Sequence, residues 1–239
     1  MRKLAEWFFQ LFKPQQKLES PSSPGPIAVV SVVEKPLIFS PPAPVLNWYT
    51  LLPTGSKPLP WTHILLHHSE SVDKNIHDWA GIKAYHMSYR INHSIVTKEE
   101  FERRLAEDKV KHPGQVALPV GFEKPWSDIG YHLGTELVGE NLVICYGRAL
   151  SKAGAHCHDG QMNQRGIGLC VVGSYNKVPP SPNQMTLLSR ICYDLIKEIP
   201  TLSVDRIEPH RKYTPSKTCP GTAFTDSLIS ELQDRIRKL

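Results

Sequence analysis

Apolar residues along this chain follow two rhythms, and their alternation predicts the elements. Ile64-Leu65-Leu66 forms a short apolar run that stops at His67-His68-Ser69-Glu70, the pattern of a buried strand over 61–68 that ends at a polar edge. A second apolar run over 166–173 reads as another strand. Ile129-Gly130-Tyr131-His132-Leu133 and Asn141-Leu142-Val143-Ile144-Cys145-Tyr146, separated by Gly139-Glu140, predict a hairpin. Helical spacing covers 78–91 and 97–109, the latter highly charged with Thr97 as N-cap. Ser181-Pro182 opens a further helix whose apolar stripe is Met185, Leu188, Cys192, Leu195 and Ile199, and residues 223–239 close the chain as an amphipathic helix. Strands interleaved with helices and sharing one core predict an α/β fold, a single mixed central sheet flanked by helices.

The pattern changes before residue 61. Residues 1–13 place Met1, Leu4, Ala5, Phe8, Leu11 and Phe12 on one helical face, opposite Arg2, Lys3, Glu6, Gln10 and Lys13. Glu6 and Gln10 interrupt what would be the apolar core of an ordinary secretory signal, so the expected role is attachment to a membrane surface, the alternatives being a docking helix for a partner protein and an atypical export signal. Residues 14–60 hold 11 of the chain's 21 prolines and read as a semi-rigid linker, partly docked through apolar islands at 27–33 and 45–52. The domain proper is expected over 61–239, with an insertion at about 91–125.

Composition narrows the class only modestly. With 239 residues and 40% hydrophobic content the chain can bury one sizeable core. The formal charge of +5, from 28 basic and 23 acidic residues, is dispersed rather than clustered, which fits an anionic cell wall or membrane and gives no nucleic-acid stripe. Five cysteines without a CxxC pair argue against a disulfide framework and against a four-cysteine zinc ribbon.

The candidate chemistry lies in His67 and in the segment His210-Arg211-Lys212-Tyr213-Thr214-Pro215-Ser216-Lys217-Thr218-Cys219. Two imidazoles and a thiolate suit zinc, with a fourth position left for water. Neighbours in a strand point to opposite faces, so only one of His67 and His68 can face such a site.

Several pieces occur in a fixed order: Ile-Leu-Leu-His-His-Ser at 64–69, Trp-Ser-Asp-Ile-Gly-Tyr-His at 126–132 and Gly-Ala-His at 154–156. Asn163, Gly-Ile-Gly-Leu-Cys-Val-Val-Gly at 166–173, and His210-Arg211 with Lys217-Thr218-Cys219-Pro220-Gly221 complete the series. In this order the chain resembles the zinc-dependent N-acetylmuramoyl-L-alanine amidases, the group shared by phage lysozyme-type amidases and peptidoglycan recognition proteins. The resemblance implies one zinc ion held by His67, His210 and Cys219. It implies Tyr131 and Lys217 as donors to the charge developing on a cleaved amide, and His156 and Asn163 as substrate contacts, with His158 a rival to His156. The implied reaction is hydrolysis of the bond between N-acetylmuramic acid and L-alanine in peptidoglycan, by an endolysin-like bacterial or phage enzyme acting at the cell wall. The alternatives are a non-catalytic peptidoglycan-binding module, whose relatives lack the cysteine, and an assembly-associated cell-wall protein. Two features depart from the family pattern. The interval from His210 to Cys219 is one residue longer, and the insertion at 91–125 is expected to wall a substrate groove or contact a partner.

Overall fold

The computed structural model describes residues 45–70 and 77–239. The helix expected over 1–13 and most of the expected linker lie outside the described residues. In chain order the elements are α1 (Trp48–Leu51), β1 (His63–His68), α2 (Trp79–His86), β2 (Tyr89–Ile91), β3 (Ser94–Val96), α3 (Lys98–Lys111), β4 (Phe122–Glu123), β5 (Leu133–Val138), β6 (Asn141–Tyr146), α4 (Met162–Arg165), β7 (Gly166–Val171), α5 (Pro182–Glu198), β8 (Ile207–Pro209) and α6 (Asp226–Arg237). Five strands form the central sheet in the order β6-β5-β7-β1-β8. It is mixed, because β1 runs parallel to β7 and β8, β5 runs parallel to β7, and only β5 and β6 are antiparallel.

Strand alternation gives the sheet two unlike faces. Ile64 and Leu66 of β1, Ile167, Leu169 and Val171 of β7, and Leu133 of β5 enter the main core with Met185, Leu188, Cys192 and Leu195 of α5 and Leu232 and Ile236 of α6. Their partners in sequence, His63, Leu65 and His67, face the other way, where the register sets them beside Gly166, Gly168 and Cys170. Gly134 of β5 lies level with Cys170 and continues this row of small residues. One face is therefore a conventional helix-covered core, and the other is a shallow floor on which larger side chains can lie.

The helices form where the caps direct. Ser181 and Gln184 make a reciprocal capping box at the start of α5, Thr97 accepts from Glu100 N at 3.2 Å to open α3, and Thr225 caps α6. The main core also reaches back before β1, because Leu46 and Leu51 are buried in it and Asn47 N donates to the Tyr146 hydroxyl at 2.7 Å.

Two elements differ from their sequence expectation. The helix predicted over 78–91 stops at His86, and residues 89–91 become β2, which pairs antiparallel with both β3 and β4. Strand partners brought from elsewhere in the chain override the helical spacing. The first hairpin strand is β5 at 133–138, not 129–133. Residues 129–132 instead bend towards Arg148, whose guanidinium donates to the carbonyls of Ile129, Ala153 and Asp128 at 2.7, 3.0 and 3.3 Å.

Residues 89–123 build their own small layer, the sheet β3-β2-β4 with α3 packed on it. Phe101 of α3 is 1% exposed and meets Tyr89 and Phe122 with ring centroids 4.9 and 5.3 Å away. Arg90 fastens this layer to the domain. It is buried, pairs with Glu123 at 2.5 Å, and lies over the rings of Tyr85 and Trp126 at 4.5 and 5.2 Å. Because Phe101 is the apolar centre of a layer separate from the main core, Phe101→Ala should cost about 3–5 kcal/mol locally. Amide exchange should then accelerate across α3 and β2–β4 while α5 keeps its protection, and equal loss of protection in both would contradict this division.

Candidate metal centre

Topology brings the three sequence-predicted donors together. His67 sits at the C-terminal end of β1 and is 1% exposed. β8 runs parallel to β1 with Leu66 level with Pro209, so the next residue along each strand is His67 on one and His210 on the other. The loop after His210 folds back on itself through bonds from Thr214 N to His210 O at 3.1 Å, Lys217 N to Thr214 O at 2.9 Å and Arg211 N to Cys219 O at 2.8 Å. This last bond closes the ring that returns Cys219 to the site. Donor atoms of His67, His210 and Cys219 all lie within 4.8 Å of one another.

A hydrogen-bond chain sets the protonation of His67. His156 Nε2 is 3.0 Å from the Gly166 carbonyl, which can only accept, so Nε2 carries the proton and Nδ1 presents a lone pair. His67 Nε2 is 3.1 Å from that Nδ1 and must donate to it. The lone pair of His67 is thereby left on Nδ1, the atom 3.5 Å from Cys219 Sγ. Burial and the neighbouring imidazoles hold both His67 and His156 well below the usual histidine pKa, so the chain runs through neutral rings.

The glycines of the sheet floor make room for this arrangement. A Cβ on Gly168 would meet the His156 ring at 2.5 Å, and one on Gly154 would meet it at 2.4 Å, so the imidazole is held between two residues that cannot be larger. A Cβ on Gly134 would likewise stand 2.2 Å from the Trp79 ring, whose Nε1 donates to Tyr146 O at 3.1 Å. The loop carrying His156 is fixed by Asn163, whose Oδ1 accepts from His156 N at 2.7 Å and Cys157 N at 2.8 Å. Both ring nitrogens of His156 and the Oδ1 of Asn163, residues expected from sequence to contact substrate, have partners within the protein. His158 is exposed.

The Cys219 thiol is pushed up to about 12 by burial, a shift opposed by the His68 backbone N–H, which donates to Sγ at 3.4 Å. His68 faces away from this centre, as alternation predicts, and its Nδ1 accepts from Tyr175 N at 3.2 Å. Tyr131 is half-buried beside the donors, its ring 5.2 Å from that of His67. Burial, with the thiols of Cys170 and Cys219 nearby, raises its phenol well above 10, so it stays protonated and able to donate. Lys217 is exposed on the loop, and its charge helps lower the His210 pKa, second to burial among the lowering influences. Around Tyr131 lie aromatic side chains that sequence reading did not single out: Trp79 at 6.2 Å, and His86 at 5.9 Å, itself stacked on Trp126 at 4.5 Å. The Trp-Ser-Asp-Ile-Gly-Tyr-His run contained one of them, but nothing local in the sequence ties Trp79 or His86 to it.

The donor set can be tested against zinc by its dimensions. Tetrahedral bonds of about 2.0–2.1 Å to nitrogen and about 2.3 Å to sulfur require nitrogen and sulfur to stand about 3.6 Å apart. The His67 Nδ1 to Cys219 Sγ separation of 3.5 Å meets that edge length. Two neutral imidazoles and a thiol fit a borderline-soft divalent ion, and a metal would hold Cys219 as the thiolate despite its buried setting.

His67, His210 and Cys219 thus converge at the strand ends of a mixed sheet as a group that could hold a metal ion. The chain belongs to the N-acetylmuramoyl-L-alanine amidase family, which matches it over residues 57–222. Among curated proteins it is similar to peptidoglycan-recognition protein SC1a of Drosophila melanogaster, 29% identical over 97 residues that make up 41% of this chain and 49% of the relative. The chain therefore spans about half the length of that relative. Among solved structures it is similar to the N-acetylmuramoyl-L-alanine amidase LysC of Clostridium intestinale, at 20% identity, a TM-score of 0.44, and coverage of 76% of this chain and 91% of that one. It is also similar to Drosophila PGRP-LB, at 16% identity, a TM-score of 0.45, and coverage of 77% and 89%.

Two outcomes follow from this geometry. His156→Ala removes the acceptor that fixes the His67 tautomer, and zinc affinity measured by competition with a chelating dye should fall about 10- to 100-fold, an unchanged affinity being the contrary result. Several histidines whose pKa is lowered by burial, His67, His86 and His156 among them, make stability acid-sensitive. His132 contributes in the same sense: it is fully buried, accepts from Gly168 N at 3.0 Å, and is pushed down to about 4 by burial. Unfolded histidine titrates near 6.5, so below that pH the unfolded chain takes up a proton that the folded chain refuses. Stability present above pH 6.5 should therefore decline as pH falls towards 4, by about 3 kcal/mol for this residue. Urea midpoints at pH 7 and pH 4.5 read it directly, and equal midpoints would oppose it.

Proposed function

We propose that this chain is a zinc-dependent amidase that hydrolyses the amide bond between N-acetylmuramic acid and L-alanine in peptidoglycan. The observation that carries this reading is the meeting of His67, His210 and Cys219 within 4.8 Å, with the His67 lone pair directed to the same side as the thiol. Membership of the amidase family supports the reaction class. Bound by these three residues, zinc supplies Lewis-acid polarisation of the scissile carbonyl and the acidification of water.

The chain's own residues do the rest. His67, His210 and Cys219 hold the ion, and His156 acts on it through His67 as a positioning residue. Tyr131, kept protonated by burial, donates to the oxygen that gains charge as the amide carbonyl is attacked. Lys217 brings an ammonium on the mobile side chain of an exposed loop position to the same charge, and because it is exposed it can also meet a carboxylate of the peptide. Trp79, Trp126 and His86 give the surroundings of Tyr131 an aromatic character suited to lying against a sugar or peptide stem. Asn163 keeps the His156 loop in place and so affects the reaction only indirectly.

Full-length protein loaded with zinc should release peptides from purified sacculi, lose that activity to a chelator and regain it with added zinc. Cys219→Ser should lose both stoichiometric zinc and hydrolysis. Tyr131→Phe should keep zinc and lose about 100- to 1000-fold in kcat. Folded, zinc-loaded protein that binds sacculi and releases nothing would replace the enzymatic reading with the binding one.

A further inference from the structure

The insertion has a feature that neither the metal centre nor its packing uses. After α3 the chain runs through residues 109–121, Lys-Val-Lys-His-Pro-Gly-Gln-Val-Ala-Leu-Pro-Val-Gly, before returning as β4. Val110, Val116 and Val120 are 82%, 101% and 100% exposed, and Leu118 between them is 39% exposed. Burial of apolar area is the main favourable term in folding, so a run of large apolar side chains held outward calls for an external partner.

The loop is built to hold them there. Its base is pinned by Asn92 N donating to Gly121 O at 2.9 Å and by the pairing of β4 with β2, and Phe122 N donates to Pro119 O at 3.0 Å. Gly121 has a φ of +84°, and a Cβ there would stand 2.1 Å from Asn92 Oδ1, so the turn that sets the loop off from the small sheet requires glycine. Within the loop, Gln115 N donates to His112 O at 3.3 Å and Gln115 Nε2 donates to Ala117 O at 3.3 Å.

Charge indicates the partner. The first part of α3 is acidic or internally paired, with Glu100 and Glu107 engaged by Arg103 and Arg104. From Lys109 to Phe122 there is no acidic residue, while Lys109 and Lys111 stand in the exposed last turn of α3 and His112 follows. The loop thus combines exposed apolar side chains with a base that carries Lys109 and Lys111 beside Asp108, whose carboxylate lies 3.9 Å from His112 Nε2, so that over 108–122 lysines outnumber carboxylates by one. Such a surface is complementary to a bilayer interface bearing anionic headgroups, where valine and leucine enter the boundary region and lysines remain at headgroup level. A protein partner would need a matching apolar cleft, whereas a fluid bilayer accommodates a convex tip without one.

We propose that residues 109–121 form a docking tip for anionic lipid bilayers, separate from the catalytic centre and independent of the chemistry proposed for it. The test uses the full chain with vesicles of phosphatidylglycerol and phosphatidylcholine, and with vesicles of phosphatidylcholine alone, read by amide exchange so that binding is located along the sequence. Anionic vesicles should protect the amides of 109–121, and phosphatidylcholine alone should not. Val116→Ser with Val120→Ser should weaken partitioning of the tip about tenfold, and Lys109→Gln with Lys111→Gln about fivefold per lysine. Zinc content and sacculus hydrolysis should be unchanged in both, since none of these residues belongs to the metal centre. Protection confined to residues outside 109–121, equal protection by uncharged vesicles, or partitioning insensitive to both pairs of substitutions would overturn the proposal. Protection of the tip by a co-purifying protein and not by vesicles would do the same.

Discussion

The Gly166 carbonyl that accepts from His156 fixes more of this protein than any other single group. Because a carbonyl only accepts, it dictates which nitrogen of His156 is protonated, and through that ring which nitrogen of His67 is free. The bond exists because β7 begins at Gly166 and runs parallel to β1 with Leu65 level with Gly168 and His67 level with Cys170. A one-residue slip in that register would turn His67 into the helix-covered core and bring His68 to the metal side. Register is held in turn by the opposite face, where Ile64, Leu66, Ile167 and Leu169 lose their burial if the strand shifts. The apolar core and the polar centre are two consequences of one alternation.

This dependence explains why the floor of the site is made of small residues. A site-facing row of Gly166, Gly168, Cys170 and Gly134 would be a weakness in an ordinary strand, since glycine contributes no packing and costs backbone entropy. Here the lost packing is supplied by Leu65, His156 and Trp79, which lie where the side chains would have been. The candidate metal centre therefore rests on a floor filled by its neighbours' side chains, with the Tyr131 ring 5.2 Å from that of His67. The insertion adds a second layer through Arg90, whose burial between Tyr85 and Trp126 links it to the same aromatic group.

Much of this was legible in the sequence, and unevenly so. The three donors could be named because a histidine ending an apolar run and a histidine and cysteine closing a short loop are unusual, and because their order matches a known family. Strand alternation showed that only one of His67 and His68 could face the site, the family resemblance pointed to His67, and the caps at Thr97 and Ser181 were readable from residue type. The sequence marked His156 and Asn163 but not the bonds they make within the protein, because a polar residue in a loop carries no mark of which backbone group it meets. The helix predicted through residue 91 failed at β2 for a related reason: three residues with helical spacing were outweighed by two partner strands, one of them about 30 residues away in sequence.

Sequence by itself determined the class of fold, the two faces of each core strand and the chemical kind of the candidate donor set, because these follow from local pattern and residue type. Tertiary structure decided the rest. The level pairing of Leu66 with Pro209 brings His67 and His210 side by side, and the turns after His210 return Cys219 to within 3.5 Å of the correct nitrogen. The Gly166 carbonyl selects that nitrogen, and the glycines hold its imidazole support in place. The two pairings across β1 join residues about 140 to 150 apart, and the bonds of His156 join residues 10 and 89 apart; all are set by strand register and by the exclusion of side chains, which a run of residue types does not display.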